Sequence, residues 1–446
     1  MTLRLFHASD IFIISKEYVA EADGTKYYSL SDAITKVEAG GTVTLLRSVT
    51  LSETETITVS KSITLDMARR AISGDGKITV GVGGVVTVQN SSPEQASEFI
   101  SADVKIGSSA EINAKYYPAL DKAVAAAVSG DTLVLLRDTT LSDELDINTS
   151  MAIDFNQKKL SFDFTSKSCN GIWIGQIKNT KTNPTLVFKN GSIDGKVGSH
   201  VVISALSGTL KIEKMGLTLH SNSLGGMYIP GSYDENISSD AVNLEIVDST
   251  INFTTYGTGW AAICDQSDAT SFGSLRIVNS TINDNTEYVQ TYAIKLNRDN
   301  VTSYGDIEIN NSTIKGHTIG FAIHEAPATQ KVTITDSTIS GDSYGAMLCG
   351  GDYTIIDSSF KGTETCDLLI ESDKYKIAVD INNAKMMSKG LLISVGSSVD
   401  ASYVTLLGTL KTDSVTSMTD KSGKYEIVTE NDVPTIKAKT VAEGDT

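Results

Sequence analysis

The phrase Asp248-Ser249-Thr250-Ile251 returns as Asn279-Ser280-Thr281-Ile282, Asn311-Ser312-Thr313-Ile314 and Asp336-Ser337-Thr338-Ile339. A worn copy stands at Asp357-Ser358-Ser359-Phe360 and an earlier one at Asn190-Gly191-Ser192-Ile193. Counted from Thr250, the position recurs after 31, 32, 25 and 21 residues. A period of this size with elastic spacing means stacked units whose spare residues lie in loops. No such unit buries its apolar side alone.

Each phrase is preceded by alternation: Leu244-Glu245-Ile246-Val247, Leu275-Arg276-Ile277-Val278, Ile307-Glu308-Ile309-Asn310 and Val332-Thr333-Ile334-Thr335. Period two predicts a strand with one face turned inward. A second apolar segment follows each phrase: Trp260-Ala261-Ala262-Ile263, Tyr292-Ala293-Ile294-Lys295, Phe321-Ala322-Ile323-His324 and Ala346-Met347-Leu348. A unit of 21 residues has no room for a helix beside these strands. The expected fold is all-β: a right-handed, single-stranded parallel β-helix, its hand taken from the usual crossover rule. Ile251, Ile282, Ile314 and Ile339 should share one inward column. The Asx residue of each phrase suits a left-handed bend, and stacked Asx side chains make an amide ladder. Glu245, Arg276 and Glu308 should form an outward column of alternating sign.

The first third repeats on another scale. Residues 26–66 and 116–156 align at a constant offset of 90, Gly40-Gly41-Thr42-Val43-Thr44-Leu45-Leu46-Arg47 matching Gly130-Asp131-Thr132-Leu133-Val134-Leu135-Leu136-Arg137. Each copy opens with a short amphipathic helix. Ser29 and Asp32 have capping-box spacing, Pro118 suits a first helical turn, and Gly40 and Gly130 are expected helix stops. The expected organisation is a helix-plus-strands module over 1–90, a linker over 91–115, the solenoid with its helical N-cap over 116–400, and a small β cap with a loose polar tail over 401–446.

The order "amphipathic helix, Gly-Asp-Thr, short strands, Asx-Ser-Thr-Ile coils" resembles the pectin-lyase-like right-handed β-helix superfamily across most of 116–400. The tandem helix-plus-strand modules also resemble those of adhesin-like surface proteins of gut bacteria and of fibre or spike proteins of their phages. The resemblance implies the fold. It leaves activity open, since one scaffold carries many functions.

Composition narrows the partners. The net charge of −17 argues against duplex DNA and anionic membranes, both of which need clustered Lys/Arg. No apolar run reaches transmembrane length, and the apolar stretch Ile11-Phe12-Ile13-Ile14 between Asp10 and Lys16 reads as a strand rather than a signal peptide. Cys169, Cys264, Cys349 and Cys366 lie on separate coils without metal-ligand spacing and read as free thiols. No cofactor and no metal are expected.

The superfamily's catalytic signatures, Asn-Thr-Asp, Gly-His-Gly and Arg-Ile-Lys among them, do not occur in the chain. The candidate ligand-binding residues are Tyr256, Trp260, Lys295, His324 and Glu325. Aligning the second strands places Cys264, Lys295, His324 and Leu348 in one outward column, with Ala262, Ala293, Ala322 and Ala346 as a flat floor beside it. Asp265 and Glu325 border it. Alternation turns Tyr292 and Phe321 inward, while Tyr256 and Trp260 sit at a turn. Lys and His in such a groove suit an acidic sugar, with His able to act as a base. The leading expectation is a non-enzymatic structural or adhesive protein on a virion or cell surface, meeting a host glycan or protein and other surface proteins. A homotrimer would hide open ends. The alternatives are a polysaccharide-cleaving tailspike-type enzyme with paired carboxylates, and a bacterial surface adhesin.

Overall fold

The computed structural model describes residues 17–440 apart from 90–104, 107–108, 118, 178–179, 223–224, 230–240, 256–260, 266–270, 288–289, 298–302 and 398. The chain is all-β, with a large mixed sheet and two seven-residue α-helices among the described residues. It divides into two compact units, Met1–Ala123 and Val124–Thr446.

In the second unit the strands pair in parallel along three ladders. The first runs from Asp131–Leu135 through Met151–Asp154, Thr185–Val197, Gly208–Ser221, Val242–Val247, Leu275–Val278, Ile307–Asn310, Ile319–Thr335, Tyr344–Ile356 and Ile377–Met386 to Val404–Leu410. The second carries the recurring phrase: Ile251 lies opposite Ile282, Ile282 opposite Ile314, Ile314 opposite Ile339 and Ile339 opposite Phe360. All five are fully buried, so the expected inward column is present. The third ladder links Ile172–Ile174, Ile203–Ala205, Gly225–Tyr228, Ala261–Cys264, Tyr292–Asn297 and their successors as far as Met418–Asp420.

The chain turns from first to second ladder through one left-handed residue, φ being 61° at Asn190, 50° at Asp248, 49° at Asn279, 44° at Asn311, 49° at Asp336 and 50° at Asp357. Among residues with a side chain, Asx pays least for that conformation. The side chains also bond from rung to rung: Asn279 Nδ2 donates to Asp248 Oδ1 at 3.1 Å and Asn311 Nδ2 to Asn279 Oδ1 at 2.8 Å. From Asp248 to Asp357 the serine that follows is buried on each coil, whereas Gly191 follows Asn190. Ser280 Oγ donates to its own Val278 carbonyl at 2.7 Å and accepts the Ser249 N–H at 3.1 Å. Ser312, Ser337 and Ser358 repeat this toward the next rung. The coil over Gly208–Ser221 belongs to the same stack, although Lys214 (φ 52°) and Met215 replace Asx and Ser there.

Parallel pairing continues past residue 400, because Val404–Leu410 and Met418–Asp420 supply partners in register although the phrase has gone. An antiparallel hairpin, Tyr425–Glu430 with Val433–Ala438, then closes the first ladder, Ile436 opposite Gly408. Residues after Pro434, expected to be loose, are paired as far as Ala438, with Ile436 buried.

The first unit repeats the three-ladder logic in small. Thr42–Leu45, Ser62–Asp66 and Val85–Gln89 pair in parallel, as do Val49–Leu51 with Ile72–Gly74, and Thr56–Val59 with Lys77–Val80 and Lys105–Ile106. Helix α1 (Leu30–Lys36) buries Leu30, Ala33 and Ile34, and the Ser29 hydroxyl accepts the Asp32 N–H at 3.0 Å. The helix stops at Lys36, capped by Val37. Gly40, expected as the stop, takes the following left-handed turn at φ 83°. Pro118 lies outside the described residues, just before helix α2 (Leu120–Ala126). Within the stretch read as a linker, Lys105–Ile106 and Ala110–Ile112 are paired strands, and Lys115–Tyr117, another, begins at its last residue.

Candidate functional site

Of the five candidate residues, Tyr256 and Trp260 lie outside the described residues. The other three fall on two neighbouring strands of the third ladder. Lys295 ends an apolar run on Tyr292–Asn297, and His324 and Glu325 sit on Ile319–Thr335, where Glu325 leaves the strand geometry at φ 51°.

The register differs from the expected alignment by two residues. Lys295 lies between Cys264 and Ala322, and His324 lies opposite Asn297. The expected Lys295–His324 column is therefore two adjacent columns. The flat Ala floor is absent for a related reason. Ala262, Ala293, Ala322 and Ala346 are all fully buried. Ala322 faces Lys295 and Met347, whereas Ala346 faces Phe321. Gly320, the residue that falls on the Ala293 rung, shows why these residues are small: a Cβ there would lie 2.8 Å from Ile339 Cγ2 of the second ladder. Small side chains belong to the tight corner between ladders, not to a surface groove.

Lys295 and His324 still meet, diagonally, around Tyr292. The Lys295 Nζ is 5.2 Å from the centre of the Tyr292 ring, within cation–π range. The His324 ring meets the same tyrosine edge-on, with centroids 6.4 Å apart. Tyr292 is thus half-buried against the outer cluster of Val201, Tyr228, Ala261 and Cys264 rather than turned inward. Phe321 is fully buried, as alternation predicts. Asp265, 5% exposed, accepts the Asn297 N–H at 2.6 Å. Glu325 pairs with Lys374 at 3.5 Å. One rung further, the Cys349 thiol donates to Glu371 Oε2 at 3.2 Å.

Burial dominates the electrostatics. It lowers the Lys295 pKa below its ordinary value, against the raising effect of Cys264 and Asp265. Burial, helped by the nearby Lys295 charge, brings His324 down to about 4. The imidazole is therefore neutral at neutral pH, and its buried Nε2 has no hydrogen-bond partner among the described residues. Burial also raises the Cys264 and Cys349 thiols, which stay protonated. The four cysteines are free. What the cluster offers chemically is one half-buried cation, one neutral imidazole and an aromatic edge. The Tyr292 ring was missed because the alternation rule was carried through the corner, where the backbone does not keep it.

The alternating column on the first ladder is present. Glu245 lies opposite Arg276 and Arg276 opposite Glu308, with Arg276 paired to Glu245 and, at 3.1 Å, to Glu308. Lys211 extends it to Glu245 at 3.3 Å. These side chains are 27–43% exposed, so the column is a solvated ion-pair network. Among the described residues, no group of three or more His, Cys, Asp or Glu is placed to hold a metal ion. Comparison of the chain with protein-family models, curated proteins and solved structures finds no match.

Proposed function

We propose that the three ladders are the faces of a right-handed parallel β-helix of the pectin-lyase-like kind, and that this solenoid is a non-enzymatic structural and adhesive element on the outside of a virion or cell. A phage fibre, spike or decoration protein is the preferred version. The observation that carries the reading is the parallel pairing that runs coil by coil from Asp131 to Leu410, with buried serines hydrogen-bonded from rung to rung between Ser249 and Ser358. Such a lattice makes a stiff spacer rather than a mobile catalyst. The recognition spot is the Tyr292–Lys295–His324 cluster, and the ligand class is a carboxylated glycan: the Tyr292 ring packs on the sugar's apolar face and Lys295 meets its carboxylate. Binding of purified protein to host cells or to a glycan array tests this. Lys295→Ala should weaken binding at least several-fold, with a larger effect at low salt. Unchanged binding in a Tyr292→Ala/Lys295→Ala double variant would overturn the site.

One observation favours a second reading, glycan cleavage. A neutral imidazole whose buried Nε2 has no partner among the described residues can accept a proton, although burial makes it a weaker base than an ordinary histidine. Release of reducing sugar from host capsule by the purified protein, abolished in His324→Gln, would establish it.

A further inference from the structure

The bend from first to second ladder is built in two ways. Where the Asx-Ser phrase recurs, the serine N–H is held by the hydroxyl of the serine one rung on. Ser249 is held by Ser280 Oγ at 3.1 Å, Ser280 by Ser312 at 3.2 Å, Ser312 by Ser337 at 3.1 Å and Ser337 by Ser358 at 3.2 Å. At Asn190-Gly191 this hold is missing, because the residue opposite Gly191 on the next rung is Met215, which has no hydroxyl. Serine does not fit at Gly191 either. A Cβ there would lie 2.3 Å from Phe155 Cβ and 2.6 Å from the Lys158 carbonyl oxygen. Packing against the preceding rung thus forces glycine into a bend that keeps its Asn, at φ 61°. Asn190 and Gly191 are half-buried, and Asn190 Nδ2 donates to Asp154 Oδ1 and Oδ2 at 3.2 and 3.3 Å.

An asparagine amide and the backbone nitrogen after it react most readily when the next residue is glycine, which has no side chain to block the approach. The chain has one other Asn-Gly pair, Asn170-Gly171. There both reacting groups are engaged. The Gly171 N–H donates to the Val201 carbonyl at 3.2 Å, and Asn170 Oδ1 accepts the Val201 N–H at 3.2 Å. Asn170 is also only 2% exposed.

We propose that Asn190 is a site of spontaneous modification, deamidation through a succinimide, with water as the only co-reactant. The bend opens locally, and the Gly191 nitrogen swings to the Asn190 side-chain carbonyl carbon and bonds to it. The bond from that carbon to Nδ2 breaks, and Nδ2 leaves as ammonia with the proton that the Gly191 nitrogen gives up. Water then opens the ring at either carbonyl, giving aspartate or isoaspartate. Local opening sets the rate, and the serine hydroxyls oppose it at Asn279 and Asn311. Aspartate replaces a donor to Asp154 by a like charge. Isoaspartate lengthens the main chain by one carbon at the bend, so residues 192–197 start out of step with Lys159–Phe164 and Gly208–Ser221. This coil thus carries a water-driven clock that the phrase-bearing coils lack. The inference rests on the bend and not on the glycan reading.

The test is incubation of the folded chain in warm, mildly alkaline buffer. Peptide mass spectrometry reads the mass gain at each asparagine, and a methyl-acceptor assay reads isoaspartate. Asn190 should convert on the order of 10-fold faster than Asn170, Asn279 or Asn311. In guanidinium chloride the two Asn-Gly pairs should convert at similar rates. Met215→Ser supplies the missing hydroxyl, whereas Met215→Ala only shortens the side chain, so Asn190 should react several-fold more slowly in the first variant than in the second. Asn190 no faster than Asn170 in the folded chain, a difference between them that persists unfolded, or equal Asn190 rates in two folded Met215 variants would each overturn the proposal. Met215 is 3% exposed; if its variants do not fold, the comparison of Asn190 with Asn170 in the parent chain decides alone.

Discussion

Replacing Ser312 by alanine tests whether the buried serines hold coil to coil. Ser312 and Ser280 are 4% and 3% exposed, and the Ser280 N–H donates to Ser312 Oγ at 3.2 Å. Ser312 Oγ in turn donates to the Asn310 carbonyl at 2.7 Å. Alanine removes one hydroxyl and leaves the Ser280 N–H buried without an acceptor. An orphaned buried donor costs ~1–3 kcal/mol, so the loss should be about 2 kcal/mol. The neighbouring Asn311→Ala change removes an exposed amide bond of 2.8 Å and leaves alanine at φ 44°, a cost of about 1 kcal/mol. Asn311→Gly should cost least, because glycine accepts that φ freely. Two units make a single global midpoint a poor measure. Native-state hydrogen exchange of the amides around Ile282 and Ile314 reads the opening free energy of these coils directly. Exchange within ~0.5 kcal/mol of the parent for Ser312→Ala, or a larger loss for Asn311→Ala, would refute the reasoning.

Ile282→Asp places an unpaired carboxylate in a fully buried column and should cost several kcal/mol, visible as lost protection on the rungs either side. Arg276→Ala should change stability by less than ~1 kcal/mol, since the guanidinium is 43% exposed; a larger loss in urea titration would contradict the solvated reading. His324, lowered to about 4, binds fewer protons folded than unfolded between its ordinary value and 4. Stability should therefore fall as pH drops through that window, by at most roughly 3 kcal/mol relative to His324→Phe, trimmed by solvent around the ring. Parallel denaturation curves for the two proteins at pH 7.5 and 4.5 would rule this out. Lys295, lowered by burial, should lose an anionic ligand as pH rises at a lower pH than an ordinary lysine would, which binding isotherms across the alkaline range would check.

The second ladder was legible because one short phrase carries three physical demands at once: a left-handed bend at the Asx, a buried hydroxyl at the Ser and an inward Ile. The coil at Gly208–Ser221 was not legible, since Lys214 and Met215 meet the same backbone demand without the phrase. On the third ladder, matching Tyr292-Ala293-Ile294-Lys295 to Phe321-Ala322-Ile323-His324 preserved the alternation and still missed the register. The paired residue of Ile294 is Phe321. A slip of two keeps every side chain on its own face, so a pattern of period two cannot detect it. The starting point of that strand depends on the tight corner around Gly320, which only packing reveals.

The ladders keep step while the coils between them differ in length. Ser280 and Ser312 are 32 residues apart in sequence and Ser337 and Ser358 only 21, yet each pair is one rung apart, joined by the same hydrogen bond at 3.2 Å. Contour length and axial distance are thereby uncoupled. A loop inserted after any third-ladder strand would be carried at a height counted in whole rungs of ~4.8 Å, whatever its own size. The chain therefore acts as a graduated ruler, on which the separation of two displayed groups can be changed by whole coils without redesigning either group.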